Sequence, residues 1–294
     1  MKAYFLVFLC VSFWAGNFVI GRYLKDDFSP LELSFVRWSI VFLVLTPYFI
    51  IKRDLLLKHI KNNFLNLLGL SILSVTLFNT LLYYGLSLTT STNALIINLS
   101  VPIFVLILSS LILKIQIQII QIIGIIFSIF GVLIIITKMD FALLLDLSFN
   151  YGDILVVLTS IIWAFYSVVV KFKPKEIKNF DFLSIIVLLG TPIIFLCYII
   201  FDTPFAIEIQ TISKHIWVLL YISLLSSIAS YIFWHYGIEK IGANKTSQFT
   251  YLMPLIGAFI AYVFLDETLE IFHLIGMIFI AIGIYSSLFI AKKN

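Results

Sequence analysis

Asn79 and Tyr83 stand four residues apart inside a long apolar run, with Val75 one turn earlier. That spacing puts all three on one face of an α-helix. A displacement of 152 residues carries them onto Ser227, Tyr231 and His235, so a second apolar run bears a polar face at the same helical phase. Trp14 and Asn17, three apart, recur as Trp163 and Tyr166 at a displacement of 149. Asn98, Gln248 and Thr250 lie in two further runs, and the 152 displacement maps Asn98 onto Thr250. Carboxamides and hydroxyls can hold the polar part of a small solute, and aromatic walls can stack on its body or face a cation. Interhelical hydrogen bonding and core packing are the alternative roles for the same residues.

Other chemistries lack their residues. Diphosphate transfer needs acidic clusters for magnesium. The only acidic pairs are Asp26-Asp27 and Asp266-Glu267, both at ends of apolar runs. No paired intramembrane aspartates, Ser/His constellation or HExxH is evident, and no glycine-rich phosphate loop. Cys10 and Cys197 sit apart in apolar runs and read as packing residues. No metal site and no cofactor are expected, and the chain is not read as an enzyme. A channel would carry a charged ring or a carbonyl filter, and neither is visible. A sensory or structural membrane protein is the remaining alternative.

The elements that carry these residues follow from composition. Of 294 residues, 62% are hydrophobic and 12% charged. A soluble domain has about a quarter of its residues charged. This chain therefore reads as a polytopic membrane protein in a lipid bilayer. A spanning helix needs about 20 apolar residues. Ten runs qualify: 3–21, 31–51, 64–86, 91–113, 117–137, 153–171, 182–200, 215–235, 243–265 and 271–290. The first could be a signal peptide, but its apolar run continues past the small pair Ala15-Gly16. The net charge of +4 does not point to nucleic acid, because the basic residues fill short gaps between the runs. Fourteen of the nineteen Lys and Arg fall on the side of the N-terminus and four on the other. By the positive-inside rule both termini are cytoplasmic.

The runs form two halves. Tyr84-Gly85 maps onto Tyr236-Gly237, Pro102 onto Pro254, Gly124 onto Gly276 and Gly131 onto Gly283, all at 152. Each half has five spans, an odd number, so the halves must be inverted relative to each other. The expected fold is an all-α integral membrane protein of ten transmembrane helices in two inverted five-helix repeats. The first repeat is residues 1–137, the outer linker 138–152 and the second repeat 153–294. Secondary transporters use such repeats and place their solute site near the midplane between them. Pro102 and Pro254 each remove a backbone hydrogen bond, and the matched kinks could serve as gating joints.

The nineteenth basic residue, Arg37, lies inside span 2. It is close enough to the outer end to snorkel. A structural role is expected, with binding of an anionic solute group as the alternative. His273 is expected at the interface. No span centre holds Asp or Glu, and His235 is the one candidate for a proton relay. Facilitated diffusion, exchange and proton coupling all fit the sequence.

Three stretches carry a family resemblance. The opening Phe13-Trp14-Ala15-Gly16-Asn17, continued by Ser29-Pro30-Leu31-Glu32, resembles EamA-type members of the drug/metabolite transporter superfamily. So do Gly242-Ala243 before a span containing Pro254, and Phe264-Leu265-Asp266-Glu267-Thr268 before Leu274-Ile275-Gly276. The acidic closing signature has no counterpart after span 4, where Lys114-Ile115 stand. The resemblance implies a carrier in the bacterial inner membrane that moves amino acids or other small metabolites, mostly outward. It also implies a central cavity lined by spans 1, 3, 4, 6, 8 and 9.

Overall fold

The computed structural model describes residues 1–140, 142, 150–202, 208–264 and 271–287. The expected acidic pair Asp266-Glu267 and most of the expected 138–152 linker lie outside the described residues. All regular secondary structure among the described residues is helical. We number the helices by span: α1 (Lys2–Asp26), α2 (Pro30–Ile51), α3 (Arg53–Leu88), α4 (Ser91–Asn98 and Val101–Leu113), α5 (Ile119–Thr137), α6 (Tyr151–Phe172), α7 (Asn179–Phe201) and α8 (Ile216–Ile241). α9 covers residues 243–264, and α10 is Ile271–Tyr285.

Local chemistry sets the helix ends. Ser29 caps α2 by accepting from the Glu32 amide at 3.0 Å, and Pro30 follows at the first helical position. Asn150 and Asp153 form a reciprocal capping box at the start of α6. α8 stops at Gly242, whose φ of +83° favours glycine.

One helix departs from its expected span, and two break beside the prolines where kinks were expected. α3 begins at Arg53 rather than near residue 64, and bends at Asn63, where φ is −136°. Its first three turns are the basic stretch expected to be a loop. α4 breaks after Asn98 and restarts at Val101, just ahead of Pro102. α9 runs as Ala243–Ser247, a 3₁₀ segment Gln248–Leu252, and then Met253–Phe264, again breaking just ahead of a proline, Pro254. A proline ring clashes with the preceding turn and supplies no N–H, so the α ladder ends there. Pro47 and Pro192 sit within continuous helices of α2 and α7, so the breaks are particular to the repeat-related pair.

The packing repeats across the halves. α1 packs on α8 as α6 packs on α3, while α2 meets α7 and α5 meets α10. At α5–α10, Gly124 faces Gly283 and Gly131 faces Gly276. A Cβ on Gly124 would lie 2.5 Å from the Gly283 carbonyl oxygen, and one on Gly131 2.6 Å from that of Gly276. Small residues let two apolar helices approach this closely. The pairing is reciprocal, since each glycine meets the repeat equivalent of the other one. That is the signature of a two-fold contact. It also runs the two helices antiparallel, as inverted halves require.

Candidate functional site

The centre of the bundle is built on two widened helical turns. Ile72–Leu77 of α3 and Tyr221–Ala229 of α8 are π-helical. The 152 displacement places the first inside the second. Such turns are rare and concentrate at functional sites. Here they turn carbonyl oxygens toward side-chain donors. Asn79 Nδ2 donates to Ser74 O at 2.8 Å, Ser227 Oγ to Ile222 O at 2.8 Å and Ser230 Oγ to Leu225 O at 2.8 Å, each five residues back. Ser226 O accepts from Trp14 Nε1 at 3.0 Å.

Arg37 is the hub of this polar core. Its Nε donates to Ser227 Oγ at 2.7 Å and its Nη2 to Ser226 O at 3.2 Å. Its Nη1 donates to Asn17 Oδ1 at 3.2 Å, Asn79 Oδ1 at 2.9 Å and Tyr83 OH at 2.9 Å. The Tyr83 hydroxyl in turn donates to Asn17 at 3.0 Å. Arg37 is only 1% exposed, so it does not snorkel outward as its place in span 2 suggested. The reason is geometric: α2 turns it toward acceptors from α1, α3 and α8 together. Those acceptors are all neutral, and among the described residues Arg37 forms no ion pair with a carboxylate.

An aromatic cluster adjoins this core. Trp14 and Trp163, equivalent by the 149 displacement, meet edge to face at 5.0 Å. Trp234, Tyr231 and Tyr166 pack around them at 4.9 to 5.6 Å. The Tyr166 hydroxyl is hydrogen-bonded to His235 Nε2.

Two cavities flank the cluster. The central one measures about 20 Å³ and is lined by Trp14, Asn17, Arg37, Asn79, Asn98, Trp163, Tyr231 and Thr250, with Phe78 and Met253 among its apolar walls. It is large enough for about one water. The other, about 1000 Å³, opens at the lysine-rich end, and His235 lines it. At the opposite end the halves are tied. Asp27 meets Lys214 at 2.9 Å and His215 at 3.2 Å. Ser29 is hydrogen-bonded to Asp202, and Thr89 donates to Asp153 at 2.5 Å. The Lys214 hydrogen bond holds the Asp27 carboxyl below its usual range.

Of the residues singled out by sequence, Trp14, Asn17, Asn79, Asn98, Trp163, Tyr231 and Thr250 line the central cavity together. Tyr83 and Ser227 sit behind it, bonded to Arg37. Tyr166 and His235 stand between the two cavities. Gln248 is buried in the 3₁₀ segment of α9, outside both linings. Pro102 and Pro254 lie just past the helix breaks. Sequence reasoning undervalued Arg37 and missed Ser226, Phe78 and Trp234. A lone arginine in an apolar run with no partner one turn away was the available signal.

Ten helices in two inverted halves, with polar side chains gathered at their shared centre, define a multi-pass membrane transporter. The model of the EamA-like transporter family matches residues 1–137 and 150–289. The chain belongs to that family, which is one of transporters rather than enzymes. It is 25% identical to the uncharacterized transporter YyaM of Bacillus subtilis (strain 168), across 96% of this chain and 92% of that one. An uncharacterized transporter of Archaeoglobus fulgidus is 27% identical, across 97% and 96%. A crystal structure of a protein with 13% identity superposes at a TM-score of 0.75, over 99% of this chain and 97% of that chain, and shares the fold.

Proposed function

We propose that this protein is an alternating-access carrier of small metabolites, such as amino acids or related amphipathic compounds, working as an exporter or exchanger. One observation carries the reading. The two halves are bridged at one end by Asp27–Lys214 and Ser29–Asp202, while at the other end they part around a cavity of about 1000 Å³. A carrier caught open to one side has that asymmetry.

The positive-inside rule makes the lysine-rich end cytoplasmic, which puts both termini of this bacterial inner-membrane protein in the cytoplasm. The described state is then open inward. Residues 1–137 and 153–294 act as the two moving repeats, and 138–152 joins them outside. The breaks ahead of Pro102 and Pro254 are the joints about which α4 and α9 bend. Trp14, Asn17, Asn79, Asn98, Trp163, Tyr231 and Thr250 contact the solute. Tyr166 and His235 close the inner approach to it.

Counterflow in proteoliposomes tests this directly, with a pooled panel of labelled amino acids, small carboxylates, nucleobases and cationic dyes. Saturable exchange of one class, lost in Trp14→Ala, is the expected result. Exchange that is equally fast in empty liposomes would contradict it.

A further inference from the structure

Among the described residues, Arg37 is a buried cation without an anion. Every acceptor around its guanidinium is a hydroxyl, a carboxamide oxygen or a backbone carbonyl. Such groups satisfy its donors but leave its charge uncancelled. A charge at this depth in a bilayer is costly, and charges kept there serve a solute or ion path.

Two further observations point the same way. Trp163 lines the central cavity together with Arg37, and its buried indole N–H has no hydrogen-bond partner among the described residues. Among the described residues that line this cavity there is no carboxylate to receive an ammonium group. The larger cavity, in turn, is rimmed by Lys171, Lys173, Lys175, Lys178, Lys240 and Lys245; Glu239 is the one acidic residue among its described lining residues, and Glu176 and Asp181 lie near enough to act on Lys173. Glu239 is itself bridged to Lys240 at 2.9 Å. A funnel in which one sign predominates raises the local concentration of the opposite charge.

The geometry points to a small organic monoanion as the solute, its carboxylate-type oxyanion taking Arg37 as counter-ion and Trp163 N–H as a second donor. This inference rests on the carrier reading above and names its solute class. A guanidinium and one negative charge form a neutral pair. A dianion would leave net charge at the centre, and a cation would double it. The planar guanidinium fork suits a carboxylate. The body of the solute lies against Trp14, Phe78 and Met253. Because the cavity now holds about one water, Trp163 and Tyr231 must part to admit it.

The test is counterflow with the full chain in proteoliposomes near neutral pH. Lactate, pyruvate and α-ketoisocaproate are the monoanion probes, succinate the dianion, leucine the zwitterion and choline the cation. The expected result is saturable exchange of one or more monoanions, faster than every other probe and with a KM that rises with ionic strength. Arg37→Gln lowers kcat/KM about thirtyfold or more, and Arg37→Lys recovers part of it. Should Arg37→Gln fail to fold, Trp163→Phe removes one N–H donor and raises KM about tenfold. Preferential exchange of leucine or choline that survives Arg37→Gln overturns the inference and leaves the carrier standing. Monoanion exchange indifferent to both substitutions overturns it too. Silence from every probe with folded protein counts against both readings.

Discussion

Asn79 Nδ2 donates a 3.2 Å hydrogen bond to the Tyr231 hydroxyl, and the two residues are separated by 152 positions. That is the displacement that aligns the two halves of the sequence. Two residues that are repeat equivalents of each other therefore meet side chain to side chain. Such a meeting happens only on the axis that relates the halves. Trp14 and Trp163 do the same at 5.0 Å. The proposed solute site is thus built on the pseudo-two-fold, but its chemistry is one-sided. The counterparts of Arg37 at displacements of 149 and 152 are Ile186 and Leu189. One half supplies the cation, and both halves supply its acceptors.

Asn79 and Tyr231 contribute unequally to stability. Asn79 accepts from Arg37 and donates to Ser74 O, so Asn79→Ala removes a charge-assisted hydrogen bond worth about 1.5–3 kcal/mol. Tyr231→Phe removes a hydroxyl that donates to Ser74 O at 2.6 Å, but Ser74 O keeps its bond from Asn79. Its cost is about 1 kcal/mol. Unfolding in detergent should rank Asn79→Ala as the weaker protein. The opposite ranking would remove Asn79 from the centre of the network.

Tyr83→Ala and Tyr231→Ala should slow transport without lowering the amount of protein in the membrane. Tyr83 holds Arg37 at 2.9 Å, and Tyr231 walls the central cavity. Normal transport by both variants would dismiss this cavity as the solute site.

The α5–α10 seam depends on bare backbone. Gly131→Ala sets a methyl 2.6 Å from the Gly276 carbonyl oxygen, and backbone cannot swing aside. Overpacking of this kind costs about 1–3 kcal/mol. Gly69 has nothing within 4 Å of its would-be Cβ, so Gly69→Ala is the control. The melting temperature should drop for the first and hold for the second. Equal behaviour would mean that the seam is not a close contact.

The sequence made much of this legible. Ten spans, their inversion and most of the cavity wall follow from hydropathy, an odd span count and polar residues at helical spacing. What it hid is tertiary. The widened turns of α3 and α8 have no local marker, because Ile72–Leu77 reads as ordinary apolar helix. Arg37 looked peripheral because depth along a span says nothing about which way a helix turns its face. The breaks before Pro102 and Pro254 were readable as kinks, whereas Pro47 and Pro192, of the same type, leave their helices continuous.

The tie at the end opposite the lysine-rich cavity has a definite acid limit. Its Asp27 carboxyl is held low chiefly by the Lys214 hydrogen bond. A carboxylate with a depressed folded pKa stabilises the fold fully above its unfolded value, about 3.9. That stabilisation is lost as pH falls through the lower folded value. Asp27→Asn should flatten the acid limb of the melting curve below about pH 4, and high salt should weaken the effect in the parent. A parent curve identical to that of Asp27→Asn would show that the tie carries no stability.

The central claim is that the two halves open alternately, and locking the tied end tests it most directly. In a Cys10→Ser, Cys197→Ser background, Asp27→Cys and Lys214→Cys are joined by a short thiol-reactive, reducible cross-linker across the present 2.9 Å ion pair. Counterflow should stop on cross-linking and return on reduction, while each single-cysteine variant is unaffected by the reagent. Full-rate counterflow with the end locked shut would contradict alternating access through it.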